Sequence, residues 1–143
     1  MNKENDSLDL FTSTCRENNL KITPQRTAIY QELLNAVDHP SADVIYKRVK
    51  KKFPHISLDT VNRTVLAFAD LGIVKVVEGY GTPKRFDPNI NNHHHFQCIK
   101  CHRIIDFHNN AYDKLKIPRE IKNKLTVFNK KVVLEGLCST CKK

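Results

Sequence analysis

Two pairs of cysteines, each with C-x-x-C spacing, constrain the fold of this chain more than any other feature. Cys98 and Cys101 form the first pair, and Cys138 and Cys141 form the second. Four soft thiolates in two such knuckles are typical of a closed tetrahedral zinc site, whereas one pair alone would also fit a redox site. The pattern predicts a structural Zn(II) that ties the last strand to the start of a small domain.

The length and composition of the chain make a metal staple useful. The chain has 143 residues, 8% of them aromatic and none tryptophan, which fits one compact unit or two very small domains. Small domains bury little apolar surface and often need a metal or a partner chain. The fifth cysteine, Cys15, stands alone on a predicted helix, where we expect a buried apolar side chain and not a ligand.

The net charge and the lack of a long apolar run narrow the class of partner. A formal net charge of +9 indicates an acidic partner such as nucleic acid or a membrane surface. No apolar run reaches the roughly 18–20 residues of a membrane span, and the N-terminus lacks the apolar core of a signal peptide. We therefore expect a cytoplasmic protein without membrane contact, in which reduced thiols favour metal over disulfides.

The first half of the chain carries the signals of four helices, beginning with a short amphipathic segment. Residues that can cap the next three helices are Thr23 (before Pro24), Ser41 and Ser57. Apolar positions at helical spacing on the second helix are Ile29, Leu33, Leu34 and Val37. On the fourth helix Val61, Val65 and Phe68 form an apolar stripe, and Gly72 provides the stop.

The elements after the helices indicate an α+β fold in two domains. Strand-like runs at 73–77 and 83–86, joined by a turn at Gly79-Tyr80-Gly81, complete a winged helix-turn-helix. We assign residues 1–86 to a winged-helix DNA-binding domain, 87–92 to a polar hinge and 93–143 to a small zinc-stapled α/β domain. In the latter we expect strands at 95–99, 103–107 and 127–137, and a helix at 112–125 that Pro118 interrupts or restarts.

A second group of possible metal ligands lies around the hinge. Its members are Asp87, His93, His94, His95 and Asp106, with His39 farther upstream. On a strand, His93 and His95 would point to one face and His94 to the other. Carboxylates together with imidazoles suit Fe(II), Mn(II) or Zn(II). From the residues alone, a solvated histidine-rich loop is the alternative.

Several segments, taken in order, resemble the ferric uptake regulator (Fur) superfamily. They are Thr23-Pro24-Gln25-Arg26, His39-Pro40-Ser41-Ala42, Thr60-Val61-x-Arg63-Thr64, Arg85-Phe86-Asp87, His93-x-His95-x-x-Cys98-x-x-Cys101, Asp106-Phe107 and Cys138-x-x-Cys141. The resemblance covers roughly residues 8–141. The ordered combination is specific to this superfamily, although each segment alone is not.

The resemblance implies a homodimer in which the C-terminal domain dimerises and the chain represses transcription. It implies a regulatory site for Fe(II) or Mn(II) made of His39, Asp87, His93, His95 and Asp106. An aspartate at Asp106, where iron-uptake regulators usually carry glutamate, is similar to the peroxide-sensing PerR branch. A second sensory site of some relatives is incomplete, because Lys130 stands where a histidine is expected beside His94 and Asp113.

A mechanism follows if one ion binds ligands from both domains. The ion would fix the angle between the domains, and in a dimer this angle would set two recognition helices to half-sites about 34–36 Å apart. Metal binding and DNA binding would then be linked. For the peroxide-sensing branch, the resemblance implies that bound Fe(II) reacts with peroxide and oxidises His39 or His93, which lifts repression.

The expected DNA contacts lie on the fourth helix and near the second. Thr60, Asn62 and Arg63 are predicted to enter the major groove of an AT-rich inverted-repeat operator. Lys21, Arg26 and some of the lysines in 47–52 are predicted to approach phosphates. Three places depart from the family pattern. Asn62 replaces a tyrosine that is usual there, and His102 stands where glycine is common. The run His93-His94-His95 leaves open which imidazoles bind the metal.

Two functions other than a peroxide-sensing repressor would also use the histidine and aspartate ligands. A metal-uptake regulator that senses iron, manganese or nickel would share nearly every ligand. A metal-dependent hydrolase would need an open coordination position, a base and a substrate pocket. Because the chain is short and its ligands straddle a hinge, we expect a regulator and not an enzyme.

Overall fold

Three hydroxyl side chains fix where three of the four helices in the N-terminal half begin. The computed structural model describes residues 3–77 and 84–143. In it, each of the three hydroxyls accepts a hydrogen bond from the backbone amide three residues later. These bonds are 3.2, 3.4 and 3.1 Å long at Thr23, Ser41 and Ser57, which confirms all three predicted caps. The helices of this half are α1 (Lys3–Glu17), α2 (Pro24–Asn35), α3 (Ala42–Val49) and α4 (Leu58–Asp70).

An aromatic cluster joins three of these helices. Phe11 of α1 stacks on Tyr30 of α2 at 4.4 Å between ring centroids, and both rings meet the edge or face of Phe68 of α4. The predicted stripe on α4 is fully buried, and Cys15 lies in the same core with 1% of its surface exposed. Val37 is 92% exposed, so its placement on the apolar face of α2 is wrong. The reason is that α2 ends at Asn35, before Val37.

A two-stranded hairpin follows α4. Gly72 adopts a φ of +75°, a conformation that glycine accommodates without strain, and this ends the helix as predicted. Strands β1 (Lys75–Val77) and β2 (Arg85–Asp87) then pair antiparallel, with Val76 opposite Phe86. The predicted turn at Gly79-Tyr80-Gly81 lies outside the described residues.

The chain divides after Ile90 into an N-terminal unit (Met1–Ile90) and a C-terminal unit (Asn91–Lys143). The C-terminal unit holds a three-stranded sheet in the order β4-β3-β5. Its elements are β3 (His94–Cys98), β4 (Ile104–Phe107), α5 (Asn110–Asp113), α6 (Arg119–Lys124) and β5 (Val133–Gly136). Strand β3 runs antiparallel to β4 and parallel to β5. The α+β fold class is thereby confirmed.

Pro118 interrupts the helix predicted at 112–125, as expected, and leaves the two short helices α5 and α6. The residue before a proline avoids the helical region, and proline itself has no amide to donate. The strand predicted at 127–137 is wrong in extent: it is only Val133–Gly136, the part that pairs with β3. None of the helices in the described ranges is long and apolar enough to cross a membrane.

The C-terminal unit has very little apolar core. Its buried side chains are mostly cysteine and histidine, together with Ile104 and Gln97. Large apolar side chains remain exposed, among them Phe128 at 93% and Leu125 at 61%. Apolar burial is the main source of stability in a small domain. Because this unit buries so little apolar surface, its folded state must be stabilised by other interactions.

Candidate metal centres and the exposed face of helix α4

The parallel pairing of β3 and β5 brings the two cysteine knuckles together. Cys98 at the end of β3 lies beside Gly136 at the end of β5, two residues before Cys138. The Ile99 amide also donates to the Gly136 carbonyl at 2.8 Å. The first knuckle closes through His102, whose φ of 62° is left-handed. Glycine would adopt this conformation without the strain that a Cβ introduces.

The four sulfur atoms form a cluster that fits zinc. The Sγ atoms of Cys98, Cys101, Cys138 and Cys141 all lie within 4.8 Å of one another. Cys101 Sγ and Cys138 Sγ are 3.7 Å apart. Tetrahedral zinc with Zn–S bonds of about 2.3 Å requires sulfur atoms about 3.8 Å apart. The donors and their spacing therefore suit a closed structural Zn(II) site.

Backbone amides stabilise the charged form of two of these thiols. The amides of Cys101 and Cys138 donate to Cys98 Sγ at 3.5 and 3.4 Å, and these bonds lower the pKa of Cys98 to about 5. A hydrogen bond from the Cys141 amide lowers the pKa of Cys138. The hydrogen bond between the side chains of Cys141 and Cys138 raises the pKa of Cys141 to about 12. Zinc binding would displace the proton that Cys141 retains.

Cys15 is expected to behave unlike the other four cysteines. It is buried in the N-terminal core, and burial raises the pKa of its thiol, so the reactive thiolate is scarce. In protein stripped of zinc without denaturant, iodoacetamide should alkylate the four knuckle cysteines and leave Cys15 unmodified until a denaturant unfolds the N-terminal unit. Peptide mass spectrometry would measure this order. Labelling of Cys15 at the rate of a free thiol in native protein would contradict its burial.

The N-terminal unit brings two of the predicted regulatory ligands together. His39 lies in the loop before α3, and Asp87 ends β2. His39 Nε2 is 3.3 Å from Asp87 Oδ2, and only 7% and 4% of the two side chains are exposed. The Asn89 amide donates to Asp87 Oδ1 at 2.9 Å. A buried carboxylate beside an imidazole is costly unless it is paired or binds a metal, and both donors suit Fe(II), Mn(II) or Zn(II).

The C-terminal unit brings the other three together. Asp106 lies opposite His95 in the β3–β4 register. Asp106 Oδ1 is 2.9 Å from His95 Nε2 and 3.4 Å from His93 Nε2. Because the Asn91 carbonyl can only accept, its 2.7 Å contact with His93 Nδ1 places the proton there. His93 Nε2 is then unprotonated, and its lone pair points towards Asp106. This tautomer is the one that a histidine needs in order to bind a metal through Nε2.

His94 is bound on the opposite face of β3. The Val132 amide donates to His94 Nδ1 at 3.0 Å, so the ring proton lies on Nε2, which donates to Asp113 Oδ1 at 2.8 Å. Lys130 Nζ donates to the Leu115 carbonyl at 3.0 Å. These hydrogen bonds hold α5 and the segment before β5 against β3. Both nitrogens of His94 are used in them, unlike those of a histidine that binds metal.

The residues expected to contact DNA lie at the surface of α4 and near α2. Thr60, Asn62 and Arg63 are exposed on α4, and Thr60 Oγ1 is 2.9 Å from the Ser57 hydroxyl. Arg63 Nε is 3.0 Å from Asp59 Oδ2, with 79% and 68% of the two side chains exposed. Asp59 lies four residues before Arg63, a spacing that favours an ion pair on one face of a helix. An exposed pair of this kind contributes only about 0.3–0.5 kcal/mol, so DNA can compete for Arg63.

The other expected phosphate contacts occupy separate places. Lys21 is exposed before α2, and the half-buried Arg26 donates from its guanidinium to the Lys21 carbonyl. Lys47, Lys50, Lys51 and Lys52 are exposed at the end of α3. The structure therefore leaves the lysines accessible, while Arg26 already has a backbone partner.

Reversing the charge at Arg63 is expected to abolish sequence-specific DNA binding. An Arg63→Glu variant would lose the donor that we predict contacts a base and would place a second carboxylate beside Asp59, so we expect operator affinity to fall by about 100-fold or more. Fluorescence anisotropy with a labelled duplex would measure the loss. Asp70→Lys, at the far end of the same helix, serves as the control. Unchanged affinity of Arg63→Glu would contradict the placement of α4 in the groove.

Comparisons with known proteins identify the family that this chain resembles. A model described as the ferric uptake regulator family matches residues 17–135. The peroxide-responsive repressor PerR of Staphylococcus epidermidis is 36% identical over 135 residues, covering 94% of this chain and 90% of that protein. The peroxide operon regulator of Bacillus subtilis is 35% identical over 130 residues, covering 91% and 90%. The solved structure of the Campylobacter jejuni peroxide stress regulator has a TM-score of 0.69 and 26% identity, covering 91% of this chain and 98% of its own.

These matches confirm the resemblance seen in the sequence motifs. The family consists of transcription regulators that bind DNA and form dimers, and its members are not enzymes, which removes the hydrolase from consideration. The family match extends over most of both compact units; it includes the first cysteine knuckle and ends before the second. The chain belongs to the ferric uptake regulator family.

Proposed function

We propose that this chain is a cytoplasmic, metal-dependent transcription repressor that senses hydrogen peroxide. The observation that carries the proposal is the division of histidine and aspartate donors, all buried except Asp106, between the two units. The N-terminal unit supplies His39 and Asp87, and the C-terminal unit supplies a set of three. Neither set alone fills the coordination shell of Fe(II) or Mn(II), which prefer about six ligands.

The proposed regulatory site takes all five donors for one ion. His39, Asp87, His93, His95 and Asp106 would bind it, which would fix the angle between the units and hence the spacing of the two recognition helices in a dimer. The operator is then an inverted repeat, AT-rich by analogy with the family, with half-sites about one helical turn apart. Zn(II) at the four cysteines would keep the C-terminal unit folded.

The exposed apolar surface of the C-terminal unit supports dimerisation through this unit. Phe128, Leu125 and Ile121 are 93%, 61% and 40% exposed, and Leu134 and Val133 of the edge strand β5 are 40% and 46% exposed. Apolar surface on this scale marks an interaction site. A homodimer would cover it with the same surface of a second copy.

Peroxide is favoured over metal abundance as the signal by two observations. The names of the relatives at 35–36% identity refer to peroxide response. Asp106 is an aspartate at the position where the resemblance to the peroxide-sensing branch implies one, and it contacts both His93 and His95. Fe(II), when bound, would supply the electrons that activate peroxide, and the oxidised side chain is expected to be His39 or His93. Regulation by metal abundance is the second candidate, because the same ligands would serve it.

Intact-mass and peptide analysis of protein loaded with Fe(II) and treated with peroxide tests the function. We expect one added oxygen on His39 or His93 and loss of DNA binding, whereas the Mn(II)-loaded control should remain unmodified and bound. Retained DNA binding without an added oxygen would reject peroxide sensing and leave regulation by metal abundance. If neither Fe(II) nor Mn(II) changes the affinity for DNA, both peroxide sensing and regulation by metal abundance are rejected.

A further inference from the structure

The loop that carries His39 is held in an unusual conformation. His39 has a φ of 49°, in the left-handed region, and it is not a glycine. This region is unfavourable for a residue with a Cβ, so the surrounding structure must hold His39 there. The next residue, Pro40, has a fixed φ and cannot donate a backbone hydrogen bond. The position of the His39 imidazole therefore depends on contacts to the carbonyls of this loop.

Those contacts come from strand β2. Arg85 Nε donates to the His39 carbonyl at 2.7 Å, and Arg85 Nη2 donates to the carbonyl of Asp38. The Phe86 amide donates to the Pro40 carbonyl at 3.1 Å, and Arg85 forms an isolated antiparallel bridge with Ser41. Consecutive carbonyls of the loop are therefore bonded to consecutive residues of β2, which ends at Asp87.

We propose that Arg85 is a positioning residue for the metal ligand His39, and that its two-carbonyl contact holds His39 against Asp87. The guanidinium has donors on separate nitrogens in a rigid plane, so it can bind both carbonyls at once, whereas a lysine ammonium is a single point. The inference deepens the proposed function, on which it rests, because it identifies what fixes one ligand of the regulatory site. It also links that ligand to the hairpin, since Arg85 is the first residue of β2.

The same loop offers a matched control. Arg48 of α3 binds the side chain of Asp38 through two hydrogen bonds of 3.2 and 2.6 Å, and it does not contact the His39 carbonyl in any described bond. Arg48→Ala therefore removes an arginine contact to the loop without releasing the carbonyls. Any effect that is particular to Arg85 should be absent from this variant.

The test compares Arg85→Ala, Arg85→Lys and Arg48→Ala in the full-length, zinc-loaded protein. Mn(II) affinity should fall about 10–100-fold in Arg85→Ala, the range typical of residues that orient a metal ligand. It should fall by an intermediate factor in Arg85→Lys and stay within about twofold in Arg48→Ala. After Fe(II) and peroxide, the share of added oxygen on His39 should drop in both Arg85 variants, with oxidation retained at His93. A purely structural role would lower Tm without redistributing the oxidation.

Two results would overturn the positioning role. One is wild-type Mn(II) affinity in Arg85→Ala together with an unchanged share of oxidation on His39. The other is an equal loss of Mn(II) affinity in Arg48→Ala. If Arg85→Ala fails to fold, Arg85→Lys decides on the same two measurements. If wild-type protein shows no histidine oxidation, peroxide sensing fails, and the Mn(II) affinities alone decide the role of Arg85.

Discussion

Replacing Cys98 with serine is expected to unfold the C-terminal unit while the N-terminal unit stays folded. This unit buries almost no large apolar side chain other than Ile104, so zinc binding must supply most of its stability. Structural zinc contributes an apparent free energy of about 10–16 kcal/mol in small domains, which is as large as the net stability of a typical whole domain. We expect loss of bound zinc, loss of amide protection in β3 and β5, and loss of dimers.

Metal analysis, hydrogen exchange and sedimentation would measure these effects in one preparation. Cys15→Ala is the matched control, because it removes a thiol from the N-terminal core and should leave zinc content and dimerisation unchanged. A Cys98→Ser protein that retains full protection in β3 and β5 would show that the cysteine cluster is not what holds this unit together.

Replacing Asp106 with alanine is expected to abolish the response of DNA binding to Mn(II). The Asp106 carboxylate contacts both His93 and His95, at 3.4 and 2.9 Å. One substitution therefore removes the anionic donor of the C-terminal unit, which is also the contact of two imidazoles. We expect Mn(II) affinity to fall more than 100-fold, so that operator affinity with Mn(II) equals that of the chelated wild type. Isothermal titration and anisotropy would report the two quantities.

Asp113→Asn is the control for this prediction. Asp113 also contacts a histidine of β3, at 2.8 Å, but that histidine is His94 on the opposite face of the strand. Mn(II) binding should survive in Asp113→Asn and fail in Asp106→Ala. The reverse result would place the regulatory ion on the His94 face, contrary to the proposed ligands.

Local signals in the sequence predicted the N-terminal unit well. A cap such as Ser57 and a stripe such as Val61 and Val65 depend on neighbours within one or two helical turns, so their outcome is set by nearby residues. The cysteine knuckles were equally predictable, because C-x-x-C spacing itself suits a metal. The grouping of Asp106 with His93 and His95 needed the strand register, which the sequence only suggested.

Contacts between distant segments could not be predicted in this way. The extent of β5 depends on its partner β3, and Val133–Gly136 is simply the part that pairs. The contact of Arg85 with the His39 carbonyl spans 46 residues and leaves no periodic signal. The roles of both nitrogens of His94 likewise follow from Val132 and Asp113, which only the fold brings near.

Reciprocal linkage between Mn(II) and DNA is the most direct test of the central claim, that one ion joins the ligands of both units. A duplex selected from a random library by the Mn(II)-loaded protein would serve as the probe. Its affinity would be measured with saturating Mn(II) and with a chelator that leaves zinc bound, and Mn(II) affinity would be measured with and without the duplex. We predict that each ligand raises the affinity of the other by the same factor, at least tenfold, or about 1.4 kcal/mol. Equal DNA affinity in Mn(II) and in chelator would contradict the account.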